Sequence, residues 1–421
     1  MWTSSSANRH RQKKAPVALA ALLLLMLGAS ANACAPELIA SSASSAQVAA
    51  CEHHLGTIDI ANGRRAEAES HYVKALALWE QAGESWLPSL CTTLLNLGEV
   101  YRETNRPEEA EKMLLRAVDI AGRFRNQYPE EYPEALSRLG AVYSAKDQPE
   151  RARPLFIESI ELLRKLGPGK AAELAYCLNN LGLLNLGSGN YKLGEANLRE
   201  AVTAALPVLG EENPESVAYQ TNLSLAFVMQ GQFERAEPLL RRGRFLIESR
   251  FGSTHPALIP IFGELSAVAA GMKKWGIAEE YARQAIVVLD AQQSPNPLAV
   301  ALAKIGLAKL YLRERKAAEA ERILPDAVAI ERRISVNGRV LANGILQLAE
   351  LRAMQQSWRE SEGLYREAIG LYEAAPGRLD PGIGQVLHNY AEVLRHTGAP
   401  KSEVKTVETR AKALTGAAPS A

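Results

Sequence analysis

Gly231-Gln-Phe-Glu-Arg-Ala236-Glu-Pro-Leu-Leu240 reads as a turn followed by the start of a helix, and the chain writes this pattern repeatedly. Gly63-Arg-Arg-Ala-Glu-Ala68-Glu and Lys273-Lys-Trp-Gly-Ile-Ala278-Glu-Glu-Tyr281 place a small residue at the same distance after a turn. Followed along the chain, that landmark falls at Ala68, Ala110, Ala152, Gly194, Ala236, Ala278, Ala320 and Ser361. The steps are 42 residues six times and then 41, and one more step of 42 reaches Glu403, where the pattern degenerates. Self-similarity at one period over most of a chain marks a repeat architecture.

Two apolar columns run ahead of the landmark. Thirteen residues before it stand Leu55, Leu97, Leu139, Leu181, Leu223, Leu265, Leu307, Leu348 and Tyr390. Ten residues before it stand Ile58, Val100, Val142, Leu184, Ala226, Val268, Leu310, Leu351 and Val393. Columns three apart share one face of a helix. Seven residues after the landmark, Ala75, Ala117, Ser159, Ala201, Gly243, Ala285, Ala327 and Ala368 let a second helix approach closely. Each unit therefore reads as helix A, a short turn and helix B. Between units, Leu209-Gly-Glu-Glu-Asn-Pro214 and Phe251-Gly-Ser-Thr-His-Pro256 end one helix at Gly and start the next near Pro. Gly167-Pro168-Gly169 occupies the same boundary and lacks the spacing of a phosphate loop.

Cys177-Leu-Asn-Asn180-Leu-Gly182, then Gly189-Asn-Tyr191, then Leu198-Arg-Glu-Ala201 resembles a tetratricopeptide repeat. The 42-residue period and the Gly-x-x-His/Asn-Pro linkers resemble the kinesin-light-chain variety of that family. The resemblance implies an all-α fold: a right-handed α-solenoid of about nine helix-turn-helix repeats over residues 47–414. It also implies that the A helices line a concave surface where a protein or peptide partner lies. Asp59, Asn185 and Arg352 depart from the pattern by replacing the aromatic found at Tyr101, Tyr143, Phe227 and Tyr311. A repeat stack needs solvated ends, and the polar stretch Lys401–Lys412 fits a C-terminal cap, with residues 415–421 as a disordered tail.

The N-terminus lies outside the repeats. Arg9, Arg11, Lys13 and Lys14 precede an apolar run from Ala15 to Leu27, and Ala31-Asn32-Ala33 has the small-x-small form of a cleavage site. Residues 1–33 read as a secretory signal peptide. The competing reading is a membrane anchor, for which the run is short against the ~20 residues that span a bilayer. Cleavage after Ala33 would leave Cys34 first, a position resembling the lipid-attachment site of bacterial lipoproteins. Ordinary secretion reads the same motif without a lipid. Residues 34–46 are expected to form a flexible tether. The expected location is therefore the periplasm, the outer membrane through a lipid on Cys34, or the secreted space.

The chain of 421 residues is 47% hydrophobic and 23% charged, enough to bury a large core. Loss of the four basic residues before Cys34 moves the formal net charge from +1 to −3, which leaves no footprint for nucleic acid. No Gly-x-Ser-x-Gly elbow, HExxH or dinucleotide fingerprint occurs, so the chain reads as a non-enzyme without cofactor or metal. Cys51-Glu52-His53-His54 is the one dense group of metal-ligand types, and its alternative is a helix surface. His255 reads as structural. Cys51 and Cys91 lie near the starts of neighbouring A helices; a disulfide between them stands against two separate thiols.

Two residues before the recurring small position of helix A stand His54, Asn96, Arg138, Asn180, Asn222, Glu264, Gly306, Gln347 and Asn389. By resemblance, the Asn residues match those that hold a partner's extended backbone, since an amide both donates and accepts. Their alternative is hydrogen bonding within the repeat. With the neighbouring charges, the candidate partner-binding residues are Asn96, Glu99, Arg102, Arg138, Asn180, Asn222, Lys309 and Asn389. The expected role is a scaffold of the cell envelope or secreted space. Its alternatives are an accessory subunit of an envelope secretion, pilus or assembly complex, or a module tied to an enzyme activity invisible in the sequence.

Overall fold

The computed structural model describes residues 44–415, except 294, 335–337 and 375–382. Every described element is helical. The helices fall into nine hairpins: α1 (Ser45–Ala61) with α2 (Arg65–Ala82), α3 (Leu87–Glu103) with α4 (Pro107–Phe124), α5 (Glu131–Ala145) with α6 (Pro149–Leu166), α7 (Ala171–Gly187) with α8 (Tyr191–Leu209), and α9 (Pro214–Met229) with α10 (Phe233–Phe251). They continue as α11 (Leu258–Gly271) with α12 (Trp275–Asp290), α13 (Pro297–Arg313) with α14 (Ala317–Glu321) and α15 (Leu324–Arg333), α16 (Gly338–Met354) with α17 (Trp358–Ala374), and α18 (Ile383–Thr397) with α19 (Lys401–Thr415). The chain is an all-α solenoid of the kind the period predicts. Its first helix begins at Ser45, inside the expected tether, because Ser44 and Gln47 form a capping box. Residues 1–43 and 416–421, with the expected signal peptide, Cys34 and most of the expected tail, lie outside the described residues.

One backbone device closes all nine hairpins. Gly63, Asn105, Asp147, Gly189, Gly231, Lys273, Arg315, Gln356 and Gly398 each sit at positive φ, between +55° and +78°. The next residue's N–H returns to a carbonyl five residues earlier, as from Arg106 to Tyr101 (2.8 Å) and from Lys316 to Tyr311 (2.8 Å). This is a Schellman closure, which satisfies the last carbonyls of helix A. Glycine holds four of the nine places; at the other five, side chains accept the left-handed region for the sake of the bond.

The landmark column is where the hairpin shuts. Ala68, Ala110, Ala152, Ala236, Ala278, Ala320 and Ser361 have no exposed surface. Four residues further on, a large side chain enters the gap: Tyr72, Leu114, Phe156 and Leu198 meet Gly56, Gly98, Gly140 and Gly182 of helix A. A Cβ on Gly182 would stand 2.6 Å from Leu198 Cγ and 3.2 Å from the Gly194 carbonyl. Later repeats put Ser266 and Ala349 at this helix A position; Ser266 Oγ donates to the Ala278 carbonyl at 2.8 Å, and Ser361 Oγ to that of Ala349 at 2.8 Å.

The aromatic column of helix A forms a second layer. Arginines cover the rings: Arg106 lies 4.3 Å from the centre of Tyr101, Arg151 3.8 Å from Tyr143, and Arg235 4.0 Å from Phe227. The three departures are compensated by charge or amide partners. Buried Asp59 pairs with Arg64, Asn185 accepts from Arg153 and donates to Asn197 Oδ1 at 2.9 Å, and Arg352 pairs with Glu321 and Glu360.

The chain divides into two compact units, one ending at Arg138 and one starting at Leu139. The first has its core on Leu94, Leu97, Leu114 and Tyr72, with Trp79 stacked on Trp86. The second contains the remaining hairpins. Its linkers follow the predicted punctuation: Gly210 sits at φ +84°, and Asn213 Oδ1 caps α9 by accepting from the Glu215 N–H at 2.8 Å. His255 has the expected structural role; its Nδ1 accepts from the Ala257 N–H at 3.3 Å and its ring packs on Phe251. One break was not foreseen. The B helix of the seventh hairpin is split into α14 and α15. Pro325 cannot donate to the carbonyl of Glu321, and its ring crowds that carbonyl, so the helix restarts at Leu324.

Candidate functional site

In the first unit, Glu99 and Arg102 are bound to each other, and Asn96 and Arg138 meet other side chains. Asn96 on α3 lies beside the hydroxyl of Tyr72 on α2, which hydrogen-bonds Thr57 at 3.2 Å. Arg102 Nε donates to Glu99 Oε2 at 2.9 Å. Burial pushes the Glu99 carboxyl up, and the Arg102 bond and charge together pull it below the usual carboxylate range. Arg138 pairs with Glu134 at 2.7 Å along its own helix.

Of the two readings for Cys51 and Cys91, the structure has separate thiols, not bonded to each other. The buried Cys91 thiol turns to its own hairpin and faces the Ala117 carbonyl of α4 at 3.8 Å, away from the neighbouring A helix. Burial raises this thiol to about 12, with the Glu131 and Glu134 charges adding to the rise. The Cys51–His54 segment does not converge either. His53 Nδ1 lies 2.9 Å from Thr93 Oγ1, and Glu52 Oε2 lies 2.6 Å from His71 Nδ1. Among the described residues, no group of three ligand types could hold a metal, and no helix is long and apolar enough to cross a membrane.

In the second unit, the amide row splits into two behaviours. Asn180 Nδ2 donates to the Tyr176 carbonyl one turn earlier (2.9 Å). Asn222 Nδ2 donates to Asn179 Oδ1 on the preceding A helix (2.8 Å). The Asn180 bond is the within-repeat reading, whereas the Asn222 bond ties neighbouring repeats together. At the C-terminal end the row opens into a groove of about 890 Å³ between α13, α16 and α18, backed by α17. Of the candidate residues, Lys309 and Asn389 line it together; Asn96, Asn180 and Asn222 do not.

Four amides face this groove, in two helical pairs: Asn343 and Gln347 on α16, Gln385 and Asn389 on α18. Residues four apart lie on one helix face, so the adjacent helices present two amides each. Asn343 Oδ1 accepts from the Tyr372 hydroxyl (2.6 Å), and Gln385 Nε2 donates to Asn389 Oδ1 (2.9 Å). Apolar Leu346, Ile383, Val386 and Val393 form the floor between them. Lys309 and Arg313 give one wall positive charge. Burial raises the Glu350 carboxyl beside them, and those two cations partly oppose the rise. At the rim, Trp358 stacks on His396, 3.9 Å between centres and 7° from parallel. Trp358 thus packs between repeats and also lines the groove. The sequence carried a signal for this place: six positions before the turn-tight small residue (Ala349, Ala391), only these two repeats have amides, Asn343 and Gln385.

Tetratricopeptide-repeat models match residues 47–123 and 177–244, and a further one matches 134–168. Over 139 residues the chain is 27% identical to the clustered mitochondria protein homolog of Homo sapiens, covering 33% of this chain and 11% of that protein. The match thus spans about a tenth of the relative's length. Among solved structures, BtubC (BKLC) from P. vanneervenii aligns with a TM-score of 0.45 at 17% identity, covering 54% of this chain and 92% of that one. The nearly identical TPR-like repeats of a Podosopora anserina chain described as a kinesin light chain align with a TM-score of 0.41 at 21% identity, covering 49% of this chain and 99% of that one.

Proposed function

We propose that this chain, a tetratricopeptide-repeat protein, is a non-catalytic scaffold that holds an extended peptide segment of a partner protein in the groove between α13, α16 and α18. One observation carries the reading: four amides converge on an apolar-floored groove of about 890 Å³. An extended strand exposes alternating N–H and C=O groups, and amide side chains can answer both. Side chains pointing inward then meet Leu346 and Val386, while Lys309 and Arg313 favour acidic groups at one end.

Selection from a displayed random-peptide library, followed by fluorescence anisotropy, tests this. Selected peptides are expected to lose about 10-fold or more in affinity to Lys309→Ala with Gln347→Ala, a change of about 1.4 kcal/mol or more. Asn180→Ala with Asn222→Ala is expected to leave affinity unchanged. Equal binding by wild type and the Lys309/Gln347 variant would overturn the groove assignment.

A role in the cell envelope or secreted space is part of the same proposal. It is supported by the basic residues Arg9–Lys14, the apolar run Ala15–Leu27 and the Ala31-Asn32-Ala33 motif. A lipid on Cys34 would tether the scaffold to a membrane, as an accessory subunit of an envelope complex requires. Expression with a labelled fatty acid is expected to label wild type and not Cys34→Ala. Absence of label on an exported, cleaved wild type would leave a secreted scaffold and remove the lipoprotein reading.

A further inference from the structure

Eleven residues after the landmark, helix B buries a side chain in every one of the first eight hairpins: Trp79, Ala121, Leu163, Ala205, Ile247, Leu289, Glu331 and Tyr372. Seven are apolar or aromatic, and the seventh hairpin has a carboxyl. Glu331 has no exposed surface. Neither of its oxygens meets a hydrogen-bond partner among the described residues. Gly344 on α16 stands opposite, and a Cβ there would lie 2.2 Å from Glu331 Oε2 and 3.1 Å from Ile305 Cδ1. The carboxyl therefore fits only because the facing residue has no side chain. A buried carboxylate without a counter-charge is costly, whereas the neutral acid is tolerable.

We infer that Glu331 makes the α15–α16 contact a protonation-sensitive joint, closed when its carboxyl is neutral and loosened when it ionises. The ionisable groups on the elements packed around it do not neutralise it. On α15 itself, Asp326 pairs with Lys304 of α13, Arg332 pairs with Glu367 of α17, and Arg333 is exposed. On α13, Lys309 lines the groove, Tyr311 lies beneath Lys316, and Arg313 lies over Trp275. On α14, Glu321 pairs with Arg352, and Glu319 is half-buried. On α16, Arg339 lies 3.6 Å from Asp147, Glu350 faces the groove, and Arg352 holds Glu321 and Glu360. Burial alone pushes the Glu331 carboxyl up to about 7 from its usual 4.5. The folded joint thus keeps a proton that the open chain releases near 4.5. Its stability is full below that value, falls as the pH climbs towards 7, and then levels off. Asn343 adjoins Gly344 and lines the groove, so the joint bears directly on the groove wall.

Hydrogen exchange of the full-length protein, corrected for intrinsic rates at pH 5.5 and pH 8, tests the joint without any ligand. In wild type, opening of α15 and α16 is expected to be about 30-fold more frequent at pH 8. Glu331→Gln and Glu331→Leu are expected to abolish the difference. Burial also raises Glu264 on α11 to about 7, so Glu264→Gln serves as the control and is expected to leave α15 and α16 unchanged. Equal pH response in wild type and Glu331→Gln, or no response in wild type, would overturn the inference. Peptide binding is not read in this experiment, so its failure is separate from failure of the groove assignment.

Discussion

Leu198→Ala is expected to destabilise the fourth hairpin by about 3 kcal/mol, and Gly182→Ala by about 2 kcal/mol. Leu198 has no exposed surface and lies in the gap that Gly182 leaves open. Removing its side chain leaves a cavity between α7 and α8. Adding a methyl at Gly182 instead drives a Cβ to 2.6 Å from Leu198 Cγ. Leu198 cannot swing clear cheaply, and the Gly194 carbonyl at 3.2 Å blocks the other direction. The two changes are complementary in shape, because the new methyl enters the space the leucine vacates. The double variant should therefore cost less than the sum, by about 1 kcal/mol. Urea titration followed by circular dichroism gives all three values. Strict additivity would show that the two residues do not share one packing site.

Arg352→Ala is expected to cost about 2 kcal/mol, and Arg352→Tyr should not do better, although tyrosine is the residue of this column at Tyr101, Tyr143 and Tyr311. The Arg352 side chain is only 14% exposed and reaches Glu321, Glu360 and Gln355. Removing it takes away the shared cation of two carboxylates that solvent still reaches, and also the packing of a side chain that is itself mostly buried, which is the larger loss. A tyrosine restores ring area, but it meets those carboxylates where the other repeats supply an arginine or lysine. Thermal and urea unfolding of both variants decides the matter. An Arg352→Tyr variant as stable as wild type would mean that the column accepts an aromatic regardless of its neighbours.

These two cases also show which features could be read ahead of the structure. The landmark and the small-residue column of helix B depend on a spacing that is constant along the chain, so the hairpins and their number were legible. The groove was legible only in part. Asn389 belongs to the row that lines it and Lys309 to the charges beside that row, but Asn96, Asn180 and Asn222 occupy positions equivalent to Asn389. What separates them is the space beside them: Asn96 lies against Tyr72, Asn180 donates to a carbonyl one turn back and Asn222 to Asn179, whereas Asn389, although it accepts from Gln385, also lines the groove. The same limit applies to Cys91. Its place near the start of an A helix allowed a bridge to Cys51, yet its rotation on α3 turns the thiol towards α4. A one-dimensional pattern records the distance between two residues along the chain and nothing of that rotation.

The all-α repeat solenoid follows from sequence alone, because hairpin closure is local physics. A left-handed turn residue, a small landmark and a large side chain facing a glycine all act within one repeat, and repetition makes them visible. The groove, the carboxyl of Glu331 against Gly344 and the Arg352 cluster arise between neighbouring repeats. They depend on which side chains meet across helices, from thirteen residues apart for Glu331 and Gly344 to eighty for Lys309 and Asn389, and only packing in three dimensions selects those meetings.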